Sequence, residues 1–579
     1  MIVSWIVKAV RWLLWMDLWR PQSDETKPTS CSHTPEPTVS CPECKQQNWI
    51  VSAFNLTFAA FIPFWGSMCD IFGRHTTLQA NMAIIMVGSA ICTGSPTSAF
   101  PLLLFGRALQ GIACAGLDVV TRVILADRVS LRESNANWTM FSYIDGISFG
   151  VGPVIGGYMT ETDWRWCFGI NLPLAAAGIV VVLLRLRKEL LGPQPLPRID
   201  STVDTSRRRT RLLHRLRTID WWGQLLFLFG LGLVVLALTW GGAVYPWASA
   251  AVLVPLCAGA ILIAGWVCWE YLMSEDGALG AKWPWKAPMM QWRIISDRNI
   301  ALSAYASFVN GAAMFAVFYF CSIYYVLVAG KDPSDAGIGL LLFTPGVGGG
   351  LLAALYLVNV WPRNTYTPLL LGAVLQSVSM GMLAWALYVE RSPVIMGMMA
   401  LVGVGSGFRL LCLTIHAIGM FPDHVATVVS LVAVANPLGG TLGHTMMSTV
   451  FNNVVNLGST DDLTSDLESF RDLPAGVLSD ITHRVKMGVV WAYVSLVPLM
   501  VIGIAAALFL GTVILPEGKG SEEDRRANIV IREPYFWILL RGRKYRGLGD
   551  QSESNELFEG ANGTDDNANG ERGARLEMT

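Results

Sequence analysis

The chain of 579 residues is short of charge: Asp, Glu, Lys and Arg make up 15% of it against 53% hydrophobic residues, and the formal net charge is −1. The basic residues sit in short loops rather than on one face, so no groove for nucleic acid is expected. Strict alternation of apolar and polar positions is missing from the apolar runs. That excludes strands there, because backbone exposed to lipid must satisfy itself by helix or closed barrel. A phosphate loop of the form G-x-x-x-x-G-K-[ST] is also missing, and "GVGSG" at Gly403–Gly407 lies inside an apolar run, where helix packing is the better reading. Without an H-E-x-x-H or comparable cluster the chain reads as no enzyme, with no cofactor. Cysteine is present but odd in number, at eleven. Eight of these (Cys69, Cys92, Cys114, Cys167, Cys257, Cys268, Cys321 and Cys412) lie in or beside apolar runs, where Cys packs as a small hydrophobe, so no disulfide framework follows. Cys31, His33, Cys41 and Cys44 are zinc-ligand types, but one C-x-x-C in a linker rich in Pro, Ser and Thr is thin support, and no metal site is assigned.

What the chain does have is apolar runs of ~20 residues, each enough to cross ~30 Å of hydrocarbon. We read thirteen: Trp49–Cys69, Leu78–Gly94, Phe100–Arg122, Asn137–Met159, Trp166–Leu184, Trp221–Trp240, Trp247–Cys268, Ile300–Ala329, Ala336–Val360, Leu369–Val389, Val394–Met420, Thr427–Val450 and Val489–Val513. Lys and Arg mark every second loop, which places those loops in the cytosol. Ile2–Leu18 contains Lys8, Arg11 and Asp17 among four tryptophans and reads as an interfacial or degraded first span. The implied organisation is residues 1–47 with that segment and its linker, 48–184 a first helical half, 185–217 a basic loop, 218–270 two linking helices, 271–298 a loop, 299–515 a second half, and 516–579 a mostly disordered tail. Within the tail, "YFWILLRGRKYR" suits a membrane surface.

Three stretches carry a family resemblance. "GSMCDIFGR" places Gly66, Asp70, Gly73 and Arg74 in a charged turn between two spans, "RALQGIACAG" begins at Arg107, and "GISFGVGPVIGG" runs from Gly146 to Gly157. Together they resemble the major facilitator superfamily, and the shorter stretches "WRWCFGINLP", "IDWWGQ", "WGGAVYPW" and "LGGTLGHTMMSTVFNN" resemble its fungal fourteen-span drug:proton antiporters. The resemblance implies an all-α polytopic membrane protein, two six-helix halves with two extra linking helices, and a first span altered or missing in this chain. It implies export of hydrophobic small molecules, such as drugs, toxins or secondary metabolites, in exchange for protons, from a monomer in the plasma membrane or a vacuolar or vesicle membrane. Uptake of a siderophore-type ligand and a non-transporting sensor or remnant are the alternatives.

The same resemblance assigns roles. Gly66, Asp70, Gly73 and Arg74 would form a conformational gate, with Arg74 approaching Asp127; Gly146, Gly150, Gly152, Pro153, Gly156 and Gly157 would form the antiporter motif; Arg107 would take part in proton coupling. From the residues themselves, Arg107 cannot titrate, and Asp118 is the carboxylate on its helical stripe, with Asp145, His416 and His444 in reserve. A permanent Asp118–Arg122 pair is the competing reading. Ser307, Asn310, Met314 and Phe318 repeat at three- and four-residue steps and, with Gln110, are expected to line the substrate cavity; helix packing competes there too. Arg409 and Asp145 stand where the related antiporters are usually uncharged.

Overall fold

The computed structural model describes mainly residues 42–96, 99–126, 165–186, 215–331, 333–455, 475–514 and 529–540, apart from short loop stretches. Among these, eleven helices are long and apolar enough to cross a membrane, and Leu56–Phe72 is a shorter apolar segment. The expected runs Ile2–Leu18 and Asn137–Met159 lie outside the described residues. Helices α1 (Pro42–Phe72), α2 (Arg74–Gly94) and α3 (Phe100–Ala126) open the first half. The span α4 (Arg165–Leu184) completes its described part. The linking helices are α5 (Trp221–Trp240) and α6 (Ala250–Leu272). The second half comprises α7 (Arg298–Ile323), α8 (Phe343–Asn359), α9 (Tyr366–Val389), α10 (Ser392–Met420), α11 (Val425–Val455) and α12 (Ala475–Leu508).

Two buried cores correspond to the two halves. One joins Phe54, Ile62, Met82, Leu117, Val120 and Phe227, and the other joins Val309, Phe320, Phe343, Met399, Phe451 and Tyr493. Ala426, Ala433 and Val434 of α11 belong to the first core, so α11 is where the second half leans on the first. Water does not drive helices together in lipid, so close backbone approach matters more than apolar area. Gly111 of α3 shows the device: a Cβ there would stand 2.4 Å from the Phe54 carbonyl and 2.1 Å from Thr57 Oγ1 on α1. "GVGSG" behaves as helix packing, since Cβ atoms on Gly403 and Gly407 would stand 2.4 Å and 2.3 Å from the carbonyls of Phe343 and Val347 on α8.

Two features differ from the sequence expectation. The run expected as Ala336–Val360 is split into Pro333–Leu340 and α8, because Pro345 lacks an N–H and sits best in a first turn, where none is needed. Part of the tail is ordered: β1 (Thr512–Ile514) pairs antiparallel with β2 (Ile529–Ile531), and α13 (Tyr535–Leu540) follows. Tyr535 packs edge-on against Tyr366 of α9 at 5.2 Å, so this segment closes the end of the second half rather than lying free.

The glycine contacts make a stability prediction. Gly111→Val should lower the melting temperature of the detergent-solubilised protein by the equivalent of about 1–3 kcal/mol, the usual range for overpacking. Gly94→Val, where nothing lies within 4 Å of the new Cβ, should leave it unchanged. Equal melting temperatures for the two variants would contradict the close crossing.

Candidate functional site

The charged turn between α1 and α2 is compact. Gly73 has φ 86°, a conformation that L side chains rarely adopt, and it is followed directly by Arg74 at the start of α2. Arg74 is buried; its Nη1 donates to Asp70 Oδ1 at 2.9 Å and to the Cys69 carbonyl at 3.0 Å. Arg215, in the basic loop, donates to the Ile71 carbonyl. One turn earlier, Gly66 meets the second half: a Cβ on it would stand 2.9 Å from Ser430 Oγ and 3.3 Å from the Ala426 carbonyl on α11. The turn therefore combines an ion pair with a close crossing between halves. Asp127, the partner expected for Arg74, lies outside the described residues.

On α3, Arg107 and Asp118 occupy different surroundings. Arg107 is fully buried, donates from Nη1 to Gln110 Oε1 at 3.1 Å, and lies 4.8 Å from the ring centre of Phe54 and 5.6 Å from that of Phe168. Gln110 passes the network on by donating to Ser89 Oγ of α2 at 3.0 Å. Asp118, eleven residues and about 16 Å further along the helix, is buried and paired with Arg122 at 3.0 Å. Arg122 also reaches Thr414 Oγ1 of α10, in the other half, at 3.4 Å. The pair is thus not confined to one helix: its cation touches the opposing half. Asp145 and the motif residues Gly146, Gly150, Gly152, Pro153, Gly156 and Gly157 lie outside the described residues.

The face of α7 that carries Ser307, Asn310, Met314 and Phe318 is buried inside the second half. Asn310 donates to Met314 Sδ at 3.7 Å and accepts from Gln376 Nε2 of α9 at 3.0 Å. Phe318 packs edge-on against Phe343 of α8. Gln376 also donates to Ser406 Oγ at 2.9 Å, and its Oε1 accepts from Arg409 Nη1 at 2.6 Å. Arg409, also buried, turns its other nitrogen to the Ala306 carbonyl at 2.6 Å. Sequence reading marked Arg409 only as an unusual charge. The available signal was physical: a guanidinium in an apolar run cannot shed its proton, so it must find acceptors on neighbouring helices. His416 is held to Thr365 Oγ1 at 2.8 Å, and His444 lies against the Tyr319 ring at 4.2 Å.

With this geometry in view, comparison with known proteins is informative. Residues 45–444 match the Major Facilitator Superfamily. The chain is 31% identical over 310 residues to the MFS-type transporter gkaD of Penicillium citrinum, which is 52% of this chain and 48% of that one, so it spans about half of that relative. It is 29% identical over 425 residues to the MFS-type efflux pump LUC4 of Fusarium sp, covering 72% of this chain and 69% of the relative. Among solved structures, the human organic anion transporter MFSD10 superposes with a TM-score of 0.52 over 87% of this chain and 98% of its own, at 12% identity, which is a likeness of fold.

Two predictions follow from these contacts. Asp70→Asn and Arg74→Ala should leave surface delivery intact and slow transport per molecule, because the ion pair biases helix movement and does not touch cargo; wild-type rates in both would remove the turn from the gate. Gln376→Leu deprives the buried Arg409 of an acceptor, and should cost the second half about 1–3 kcal/mol, seen as a lowered melting temperature. An unchanged melting temperature would show that Arg409 finds its acceptors elsewhere.

Proposed function

Because this chain belongs to the Major Facilitator Superfamily, and so is a multi-pass membrane protein of a family that transports small molecules, we propose that it exports hydrophobic small molecules in exchange for protons. The observation that carries the proton part is Asp118. It is a buried carboxylate in a bundle interior, and its partner Arg122 bonds Thr414 across the two halves. A carboxylate there gains or loses a proton according to the balance between burial, which favours the neutral acid, and the nearby guanidinium, which favours the anion. When Asp118 is protonated, Arg122 loses its ion-pair partner, and the contact with Thr414 is left to a neutral hydroxyl alone. Rocking of the halves past one another would then expose Asp118 to one side or the other, and the Gly66 crossing supplies a tight contact about which they move.

Export is the direction supported by the relative named as an efflux pump. The cargo reading rests on the α7 face, where Ser307 and Asn310 alternate with Met314 and Phe318, a mixture of polar, soft and aromatic groups suited to an amphiphilic metabolite. Arg107 serves as an orienting charge near the head of the same helix as Asp118, holding Gln110 and, through it, Ser89. The plasma membrane is the proposed location, since export there removes a compound from the cell.

The test uses purified protein in liposomes with an imposed pH difference and a panel of metabolites. Asp118→Asn should abolish accumulation against a gradient while keeping downhill exchange of substrate. If that variant still concentrates substrate when only a pH difference is applied, Asp118 is not the proton carrier.

A further inference from the structure

The two linking helices carry a constellation that the transport reading leaves unused. The C-terminal end of α6 meets the N-terminal end of α5 at two buried carboxylates, Asp220 and Glu270. Asp220 caps α5: its Oδ1 accepts the Gly223 N–H at 3.1 Å, and its Oδ2 accepts the Trp269 Nε1–H at 2.9 Å. Glu270 is fully buried, and its Oε2 accepts the Met290 N–H at 3.4 Å. Its other oxygen, Oε1, has no hydrogen-bond partner, and neither has Oε1 of Gln224, one turn beyond Asp220. The indole N–H of Trp266 acts on Glu270 from the same helix but closes no hydrogen bond in this geometry. A Cβ on Gly223 would stand 2.2 Å from Asp220 Oδ2 and 3.4 Å from Glu270 Oε1, so the two carboxylates border one small space.

Two carboxylates beside one space closed to water do not both ionise readily; one proton between them removes the conflict. The cation acting on the pair among the described residues is Lys286, whose Nζ lies 5.5 Å and 5.3 Å from the rings of Trp269 and Trp283. From α1 the groups that face this region are neutral: Gln224 donates to the Ala60 carbonyl at 3.2 Å, and Ser67 donates to the Met289 carbonyl at 3.1 Å. Burial pushes the Asp220 carboxyl above the ordinary carboxylate range, against the pull of the Gly223 N–H, the Trp269 indole and Lys286.

The Met289–Met290 segment ties this pair to the gate. Met290 gives its N–H to Glu270, Met289 takes the hydroxyl of Ser67, and Ser67 lies within the charged turn between Gly66 and Asp70. Both methionine side chains are buried in the core of the first half.

We propose that Asp220 and Glu270 form a second proton-binding site, distinct from Asp118, which holds one proton between two carboxyl groups and latches the Met289–Met290 segment onto the gate turn. With the proton bound, the remaining charge is met by Trp269, the Gly223 N–H and Lys286, and Glu270 keeps Met290. With the proton lost, two anions face each other, and Glu270 moves toward water and releases Met290. The sign follows from the raised Asp220: the latch is fully formed at low pH and is lost as pH rises through the raised value. A proton-importing exporter acidifies the side where these loops lie, so the latch acts as a brake on further turnover.

The proton itself is the probe. In full-length protein in liposomes, infrared difference spectra across a pH step should show a protonated-carboxyl carbonyl band that titrates above the ordinary carboxylate range. Glu270→Gln and Asp220→Asn should each lose it, and Asp118→Asn should retain it; Asn still caps a helix, so the second variant keeps α5. Hydrogen exchange of the segment Trp283–Ile295 should rise with pH beyond base catalysis in wild type, and this excess should vanish in Glu270→Gln, whose amide mimics the protonated acid. A band that persists in both carboxyl variants, or an exchange profile in Glu270→Gln equal to wild type, overturns the proposal. Neither readout needs transport, so their failure leaves the Asp118 reading standing.

Discussion

An arginine inside a bundle surrounded by lipid keeps its charge, because no pH in a cell removes its proton, and it must therefore be met by acceptors on the helices around it. Arg74, Arg107, Arg122 and Arg409 all face this demand, and the means by which they meet it sort the molecule into parts. Arg74 and Arg122 take carboxylates, Asp70 and Asp118, at places where the two halves touch: beside the Gly66 crossing and opposite Thr414. Arg409 takes the amide of Gln376 and the carbonyl of Ala306, wholly within the second half. The distinction is chemical. A carboxylate partner can be neutralised by a proton and an amide cannot, so the contacts between halves are switchable while the interior of the second half is a fixed frame.

That frame also explains why glycine is concentrated in the helices. In lipid no solvent drives helix against helix, and stability comes from backbone approach and internal hydrogen bonds. Gly403 and Gly407 bring α10 onto α8 inside one half, whereas Gly66 brings α1 onto α11 between halves. The first kind of contact has a backbone carbonyl at close range and resists change. At Gly66 the nearest atom is the end of a serine side chain, Ser430 Oγ, which rotates. The same small residue thus serves rigidity in one place and sliding in another, and what stands opposite decides which.

Much of this was legible in the sequence, but unevenly. The spans were readable because length and hydropathy fix them, and the Asp70–Arg74 pair because its members are four residues apart on one turn. Asp118–Arg122 was legible for the same reason, though nothing in the spacing foretold Thr414, which lies almost three hundred residues away. Arg409 stood out as a charge, yet its acceptors come from α7 and α9, so no local pattern could assemble them. Asp220 read as part of a tryptophan-rich stretch, and its pairing with Glu270 depends on two antiparallel helices returning to the same level. The strand β2 was hidden for a different reason: three residues in a polar tail carry no periodicity, and their order comes from Asn299, which accepts the Gly511 N–H and donates to the Arg532 carbonyl.

The two halves are consequently belted in different ways at the end that carries the basic loops. In the second half the segment after α12 returns as a strand pair. Thr365, at the start of α9, exchanges bonds with Val513 through both its N–H and its hydroxyl, while the same hydroxyl reaches His416 of α10. Backbone pairing of this sort does not depend on any ionisable group. In the first half the belt is Met289–Met290, held by one hydroxyl from Ser67 and one carboxylate from Glu270, with apolar burial of two flexible side chains beneath. α6 cannot compensate, since it faces lipid along most of its length and is positioned chiefly by its contact with α5 and by the cluster at Glu270. Because one belt is made of backbone and the other of side chains that include a carboxylate, an acid–base change on that side loosens the first half before the second. The gate turn belongs to the half that loosens.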